Sequence, residues 1–293
     1  MPRLSPTELA TRREGMGSTC VVEANGLAPW KGAGPMRLFC EKTGIVSPDD
    51  EEEIIDDGWL EWGHVMEPVI ADWYERERGV KLLPGGHVPS REHPFIWATL
   101  DRSIIGANKL LEVKNVGSPA LYSHWNTSSE DGVPDYVRAQ VHVAMHCHGS
   151  RECDVVASIG GRPPHVWTVF YDSELADLLL RGAVKFWQLV KDGTPPPLDS
   201  TPASKQYLLA RYPRPTDPVI EPADEETCAL ALERLDMAAN EKAAKARKDT
   251  LDAELMARVG NRDGLYGEGW RLTWRCDAKG VRRQRFTQSR GNE

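Results

Sequence analysis

Two β-rich runs, Trp97 to Ile105 and Leu110 to Val116, are largely apolar and are interrupted by Asp101, Glu112 and Lys114. A turn at Gly106-Ala107-Asn108-Lys109 joins the two runs, and this pattern predicts a β-hairpin. Helical periodicity appears on either side. A helix is expected from about Thr19, a short one over Pro35 to Lys42 ending at Gly44, and a longer one over Trp59 to Arg78. Trp62, Met66, Val69, Ile70 and Trp73 form the buried stripe of the longer helix. Pro68 lacks a donor and disfavours α geometry at Glu67, so a kink or a helix start is expected there. Pro134 opens a further helix closed by Gly149, with Tyr136, Gln140, Val143, Ala144 and Cys147 on one face. Cys153 to Ile159 and Val166 to Tyr171 predict a second hairpin across Gly160-Gly161, and an amphipathic helix over Ser173 to Lys191 follows it.

Beyond this the pattern changes. The first 200 residues are expected to form one α/β domain with a mixed central sheet, and residues 201–222, rich in proline, a linker. Residues 223–293 are expected to form a long Ala/Leu/Lys/Glu-rich helix from Asp224 to Val259 and a hairpin of alternating aromatic and basic residues. That alternation suits nucleic acid, or docking onto another protein surface.

Composition changes this picture little, and charge changes it more. At 293 residues, 40% hydrophobic and 27% charged, the chain is that of an ordinary globular protein. There is no leading apolar segment and no long apolar run, which points to a cytoplasmic protein without a membrane span. Six scattered cysteines without a C-x-x-C pair fit reduced thiols. The net charge of -8 argues against nucleic acid only until it is located, because Asp49 to Asp57 alone carries seven negative charges. The rest of the chain is nearly neutral, and Arg271 to Arg290 is strongly basic.

The candidate chemistry sits on the first hairpin. Glu112 and Lys114 lie two apart on one strand and so share a face, while Val113 points into a core. A two-residue turn pairs Asp101 with Glu112, and a four-residue turn pairs it with Lys114. Either register puts all three on one face. Two carboxylates and the Val113 carbonyl suit a hard divalent cation such as Mg²⁺, with Mn²⁺ as its substitute. Lys114 could then position or help deprotonate an attacking water, or stabilise charge on a phosphoryl group. Glu67 at the Pro68 break could reach the same face, and Gln140 could hydrogen-bond a carboxylate there. Arg12, Arg13 and Ser18 around two glycines could cradle a phosphate. His142 and His146, with Cys147 and Cys153 nearby, lack the spacing of a zinc site.

Six segments in order, R-R-E-G-M-G-S, W-G-H-V-M-E-P, W-A-T-L-D, L-L-E-V-K, D-Y-V-R-A-Q-V and F-W-x-x-V-x-x-G-x-x-P, span residues 12 to about 200. Together they resemble the YqaJ-type viral recombinase family, relatives of phage lambda exonuclease in the PD-(D/E)XK nuclease superfamily. The resemblance implies that Asp101, Glu112 and the Val113 carbonyl bind metal and that Lys114 is the catalytic lysine. It makes Glu67 the upstream helix acid and Gln140 the motif glutamine, and gives a DNA 5′-phosphate to Arg12 or Arg13 with Ser18. It also implies a Mg²⁺-dependent 5′→3′ exonuclease on double-stranded DNA ends, leaving 3′ tails for a single-strand annealing protein of the RecT/beta type. The lambda relative makes a homo-oligomer expected, a trimeric ring among the possibilities. A restriction-type endonuclease on the same fold and a non-catalytic DNA-end binding protein are the rival readings. Two positions depart from the family pattern: Arg102 stands where a glycine is usual, and Thr19 where an acid is usual.

Overall fold

The computed structural model describes residues 12–45, 58–214 and 220–288. The acidic run at 49–57 and Arg290 lie outside them. The chain divides into two compact units, Met1–Pro215 and Thr216–Glu293.

In the first unit, β1 (Met16–Gly17), α1 (Ser18–Ala24), α2 (Pro35–Thr43) and α3 (Trp59–Arg78) precede β2 (Leu82–Pro84), β3 (His87–Pro89), β4 (Ile96–Thr99), β5 (Arg102–Ile104) and β6 (Lys109–Val116). Then come α4 (Pro119–Tyr122), α5 (Asp135–His148), β7 (Glu152–Ile159), β8 (His165–Phe170), α6 (Ser173–Asp192) and α7 (Pro202–Arg211). A five-stranded sheet runs β2-β5-β6-β7-β8, and a three-stranded one runs β1-β4-β3. The central pair β6 and β7 is parallel; the other pairs of the larger sheet are antiparallel. A parallel pair needs a crossover, and α4 and α5 supply it.

Alternation along β6 decides which helix each side chain meets. Leu111 and Val113 pack with Ile70, Ala71 and Tyr74 of α3. Leu110 and Val116 join the larger core with Val137, Val141 and Ala144 of α5. Glu112 and Lys114 share that second face by the same two-residue period. The sheet is therefore covered on both sides, as its nearly continuous apolar strands require.

Four expectations are revised, the first being the buried stripe of α3, in which Trp62 and Val69 are about half exposed. The run from Trp97 to Ile105 is not one strand: β4 pairs with β1 and β3, and β5 with β2 and β6, so the chain changes sheets at Leu100-Asp101. The helix containing Pro68 does not start at Glu67 but at Trp59, with Pro68 inside it. Within the expected linker, residues 202–211 form α7, with Pro202 in the first turn and Ala203 and Tyr207 buried. Tyr207 meets Phe39 of α2 edge-on, at 6.2 Å between ring centroids, which gives this short helix its apolar anchor. No described helix is long and apolar enough to cross a membrane.

The second unit consists of α8 (Glu225–Val259) and a sheet of β9 (Gly264–Gly267), β10 (Trp270–Cys276) and β11 (Arg282–Gln288) in the order β11-β10-β9. Asp224 caps α8 by accepting from the Thr227 N–H, which satisfies one of the four orphan donors of a helix start.

Candidate active site

The hairpin β5–β6 pairs Arg102 with Leu111 and Ser103 with Leu110. Continued by one residue, this register sets Asp101 opposite Glu112, which is the alternative expected for a two-residue turn. The ladder opens at Ile104 and Lys109, and Gly106 takes a φ of 80° in the connection. Asp101 lies just outside the ladder. Its Oδ2 accepts from the Val113 N–H at 2.7 Å, so its side chain replaces the backbone pair that β5 does not extend to make.

Gly85 explains why the chain leaves β4 here. Its N–H donates to the Asp101 carbonyl at 2.9 Å, and Leu100 donates to the Gly86 carbonyl at 3.0 Å. A Cβ on Gly85 would come within 1.7 Å of the Leu100 carbonyl oxygen, so only glycine permits this approach. The β2–β3 turn thus seats Asp101, a role with no local sign beyond the Gly-Gly pair.

Glu112 is 4% exposed, and its Oε1 has two partners. Its Oε1 faces the Lys114 ammonium at 2.5 Å and accepts from Gln140 Nε2 at 3.0 Å. Gln140 closes the triangle, its Oε1 accepting from Lys114 Nζ at 3.1 Å. The amide orientation is the one in which both contacts are complementary: the NH₂ meets a carboxylate and the oxygen an ammonium. Burial pushes the Asp101 carboxyl up, and the facing Glu112 pushes it further, to about 8. Burial pulls the Lys114 ammonium down, but Glu112 and Asp101 outweigh it and hold the pKa above the ordinary lysine value. Two carboxylates thus face one cation that only partly relieves them.

Two carboxylates so placed fit a hard divalent ion, which needs one or two of them, keeps several waters and would displace the Asp101 proton. Among the described residues no three His, Cys, Asp or Glu side chains converge to hold a metal, so the protein's share would be Asp101 and Glu112 with backbone oxygen.

The structure brings Asp101, Glu112, Val113, Lys114 and Gln140 together. Glu67 is near but engaged elsewhere, its Oε1 accepting from Arg102 Nη1 at 2.8 Å. The same Nη1 donates to the Asp101 carbonyl at 2.6 Å, so Arg102 stands between the helix acid and the pair. Arg12, Arg13 and Ser18 are not hydrogen-bonded or ion-paired to Asp101, Glu112 or Lys114. Arg12 faces Glu41 at 3.7 Å, Arg13 lies beside Gly44, and Ser18 is buried at the start of α1. His142 and His146 hold packing contacts, the first to the Arg138 carbonyl at 2.7 Å and the second to Ser90 at 3.3 Å.

One group was not assigned a role from the sequence. Tyr136, four residues before Gln140 on the same face of α5, lies close enough to Lys114 to feel its charge. Trp30 and His124 meet its ring edge-on, each at 6.3 Å. Its i, i+4 relation to Gln140 was the only sequence signal, and packing explains that spacing equally well.

Residues 9–151 match a family model described as the YqaJ-like viral recombinase domain. The uncharacterized protein YqaJ of Bacillus subtilis (strain 168) is 29% identical over 209 residues. The match covers 70% of this chain and 62% of that relative, so the chain spans less than two thirds of its length. A crystal structure of LHK-Exo in complex with dAMP is similar with a TM-score of 0.51 at 17% identity, covering 64% of this chain and 94% of that one. A second structure of LHK-Exo, an alkaline exonuclease from Laribacter hongkongensis, has a TM-score of 0.49 at 16% identity, over 64% and 92% of the two chains. The mixed sheet with helices on both faces is the expected PD-(D/E)XK architecture.

Proposed function

Because residues 9–151 match the model of the YqaJ-like viral recombinase domain, we propose that this chain hydrolyses DNA as a metal-dependent 5′→3′ exonuclease of phage-type recombination. The observation that carries the reading is the locked triangle of Glu112, Lys114 and Gln140 beside Asp101. The similarity to an exonuclease crystallised with dAMP, a deoxynucleoside monophosphate of the kind end-digestion releases, supports it. In this reading Asp101, Glu112 and the Val113 carbonyl would hold Mg²⁺ or Mn²⁺, which supplies charge neutralisation at the attacking and leaving oxygens.

The chain's own residues do the rest. Lys114, kept protonated by its two carboxylates, presents a fixed positive charge where a phosphate gains negative charge. Gln140 holds Glu112 and Lys114 in one geometry, so neither must reorganise when DNA arrives. Arg102 engages Glu67 and leaves the Asp101–Glu112 pair as the cation-binding charge. Arg12 or Arg13 with Ser18 would hold a 5′-phosphate and set polarity. The 3′ tail would pass to a single-strand annealing protein, and a homo-oligomer, a trimeric ring among the possibilities, would keep the enzyme on its substrate.

The test is digestion of linear duplex labelled at either end, with Mg²⁺ or EDTA, beside a closed circle. Mg²⁺-dependent early loss of the 5′ label with the circle intact is expected. Cutting of the circle would replace the reading with an endonuclease, and DNA binding without cleavage would replace it with an end-binding protein.

A pH dependence follows from Asp101. In the metal-free protein it keeps its proton up to about pH 8, against an ordinary value of 3.8. A cation must displace that proton, so affinity for Mg²⁺ should rise with pH up to about 8, by about tenfold per unit at the steepest, and level off above. Calorimetric titration in buffers of different ionisation enthalpy should show about one proton released per ion near pH 6.5 and none near pH 9.5. The sign for stability is opposite. A carboxyl whose folded pKa is raised supports the fold below about 4, and that support is lost as pH climbs to about 8. Affinity that stays constant from pH 6 to 8 would remove this account.

A further inference from the structure

The sheet of the second unit has two unlike faces. On one, Leu272 is fully buried and Phe286, Trp274 and Gln284 follow it by register. The end of α8 covers this face at Leu272, while Phe286 remains half exposed. Val259 is fully buried, and Gln284 donates to Asp252 at 2.9 Å.

The other face carries Tyr266, Arg271, Arg275, Arg283 and Arg285, all exposed, with Tyr266 at 86%. The register makes neighbours of them: Tyr266 lies opposite Arg271, and Arg275 opposite Arg283. Like charges directly across a ladder oppose folding, so packing does not explain this placement. Asp263 and Asp277 relieve two of the four, holding Arg275 at 3.2 Å and Arg283 at 3.1 Å. Arg271 and Arg285 make no ion pair with a described residue. Residues 264–288 contain six basic and two acidic side chains, a net of +4 in a chain whose net charge is -8.

Tyr266 adds a flat apolar surface to this charge. It borders a shallow concavity lined with Gly267, Trp270 and Arg271 at the β9 edge. Gly267 keeps that concavity open, since a Cβ there would come within 2.7 Å of Trp270 Nε1. Guanidinium groups beside an exposed ring match a polyanion whose units also carry a stacking face. A duplex offers phosphates but keeps its bases inside; a single strand offers both.

We propose that this face is a binding surface for single-stranded DNA, with Arg271 and Arg285 on backbone phosphates and a base stacked on Tyr266. The site lies outside residues 9–151, and neither its residues nor its test uses the carboxylate pair. In a chain that also degrades one strand of a duplex, it would hold the strand that remains.

The test is fluorescence anisotropy of the full chain with a labelled 20-nucleotide oligo-dT, in EDTA to prevent cleavage, over a salt series. Arg271→Ala with Arg285→Ala should weaken binding about tenfold or more at 0.1 M salt and lower the slope of log affinity against log salt by about 1.4. Arg271→Lys with Arg285→Lys should keep the slope, which shows that charge rather than an altered sheet is read. Tyr266→Ala should weaken binding about tenfold with the slope unchanged. Parental affinity and slope in the double alanine variant would overturn the proposal. So would tighter binding to a duplex of equal length with Tyr266→Ala without effect. The assay reads binding in EDTA and needs no cleavage, so failure here and failure of the nuclease reading are told apart.

Discussion

Glu112→Gln and Lys114→Ala are each expected to lower digestion of linear duplex by about 10²–10³-fold or more, while the chain still folds and still binds DNA. Glu112→Gln keeps the shape and the contact to Lys114 but removes one of the two carboxylates that would bind the ion. Asp101 then loses the facing charge that raises it, so its carboxyl should ionise at lower pH and the net pull on a cation should fall. Lys114→Ala leaves both carboxylates without their ammonium. Its side chain is 26% exposed, so water can reach the vacated place and the structural cost stays small. Glu112→Ala is the less clean variant, because it strands a lysine and an amide around a cavity. Nucleotide release should be followed with melting temperature and with binding to end-labelled duplex in EDTA. A near-parental rate in either Glu112→Gln or Lys114→Ala would mean the chemistry lies elsewhere.

The site was legible to the extent that it is local. Asp101, Glu112 and Lys114 are placed by the two-residue period of a hairpin, and Gln140 by its place on a helix that a parallel pair must have. What lay beyond local pattern was tertiary. The change of sheet at Leu100-Asp101 depends on the close approach of Gly85, fifteen residues earlier in the sequence. Glu67 was assigned to the site by its position in a motif, but Arg102, on another element, takes its carboxylate. The departure at Arg102 was visible in the sequence; its consequence required coordinates. Helix α7 was hidden by proline composition. Pro202 is where a helix tolerates proline, and Ala203 with Tyr207 is the i, i+4 pair that marks the buried face.

The opposite face of the same sheet carries the largest expected stability effect, at a residue with no assigned chemistry. Asp154, 5% exposed, accepts from Tyr74 at 2.5 Å and from Thr168 at 2.6 Å, and pairs with Lys109 at 2.7 Å. These contacts tie α3 to β6, β7 and β8. Asp154→Ala removes two hydrogen bonds to a carboxylate, leaves a buried phenol unpaired and leaves Lys109 with Glu152 alone, which together cost about 3–5 kcal/mol. For a unit of this size that corresponds to roughly 6–20 °C in melting temperature. Tyr74→Phe removes one hydrogen bond and should cost about 1–2 kcal/mol. Burial, and then the Asp154 carboxylate, push the Tyr74 phenol above its ordinary value of 10. A raised phenol supports the fold below about pH 10 and less as pH climbs beyond, so the parental protein should lose stability at alkaline pH more steeply than Tyr74→Phe. Glu67 precedes Tyr74 by two turns on α3, so loosening this anchor also frees the helix that carries the Arg102 contact. Asp154→Ala should therefore digest DNA normally at low temperature and fail early on warming. A melting temperature within about 2 °C of the parental one would show that the apolar face of α3 holds the sheet without this network.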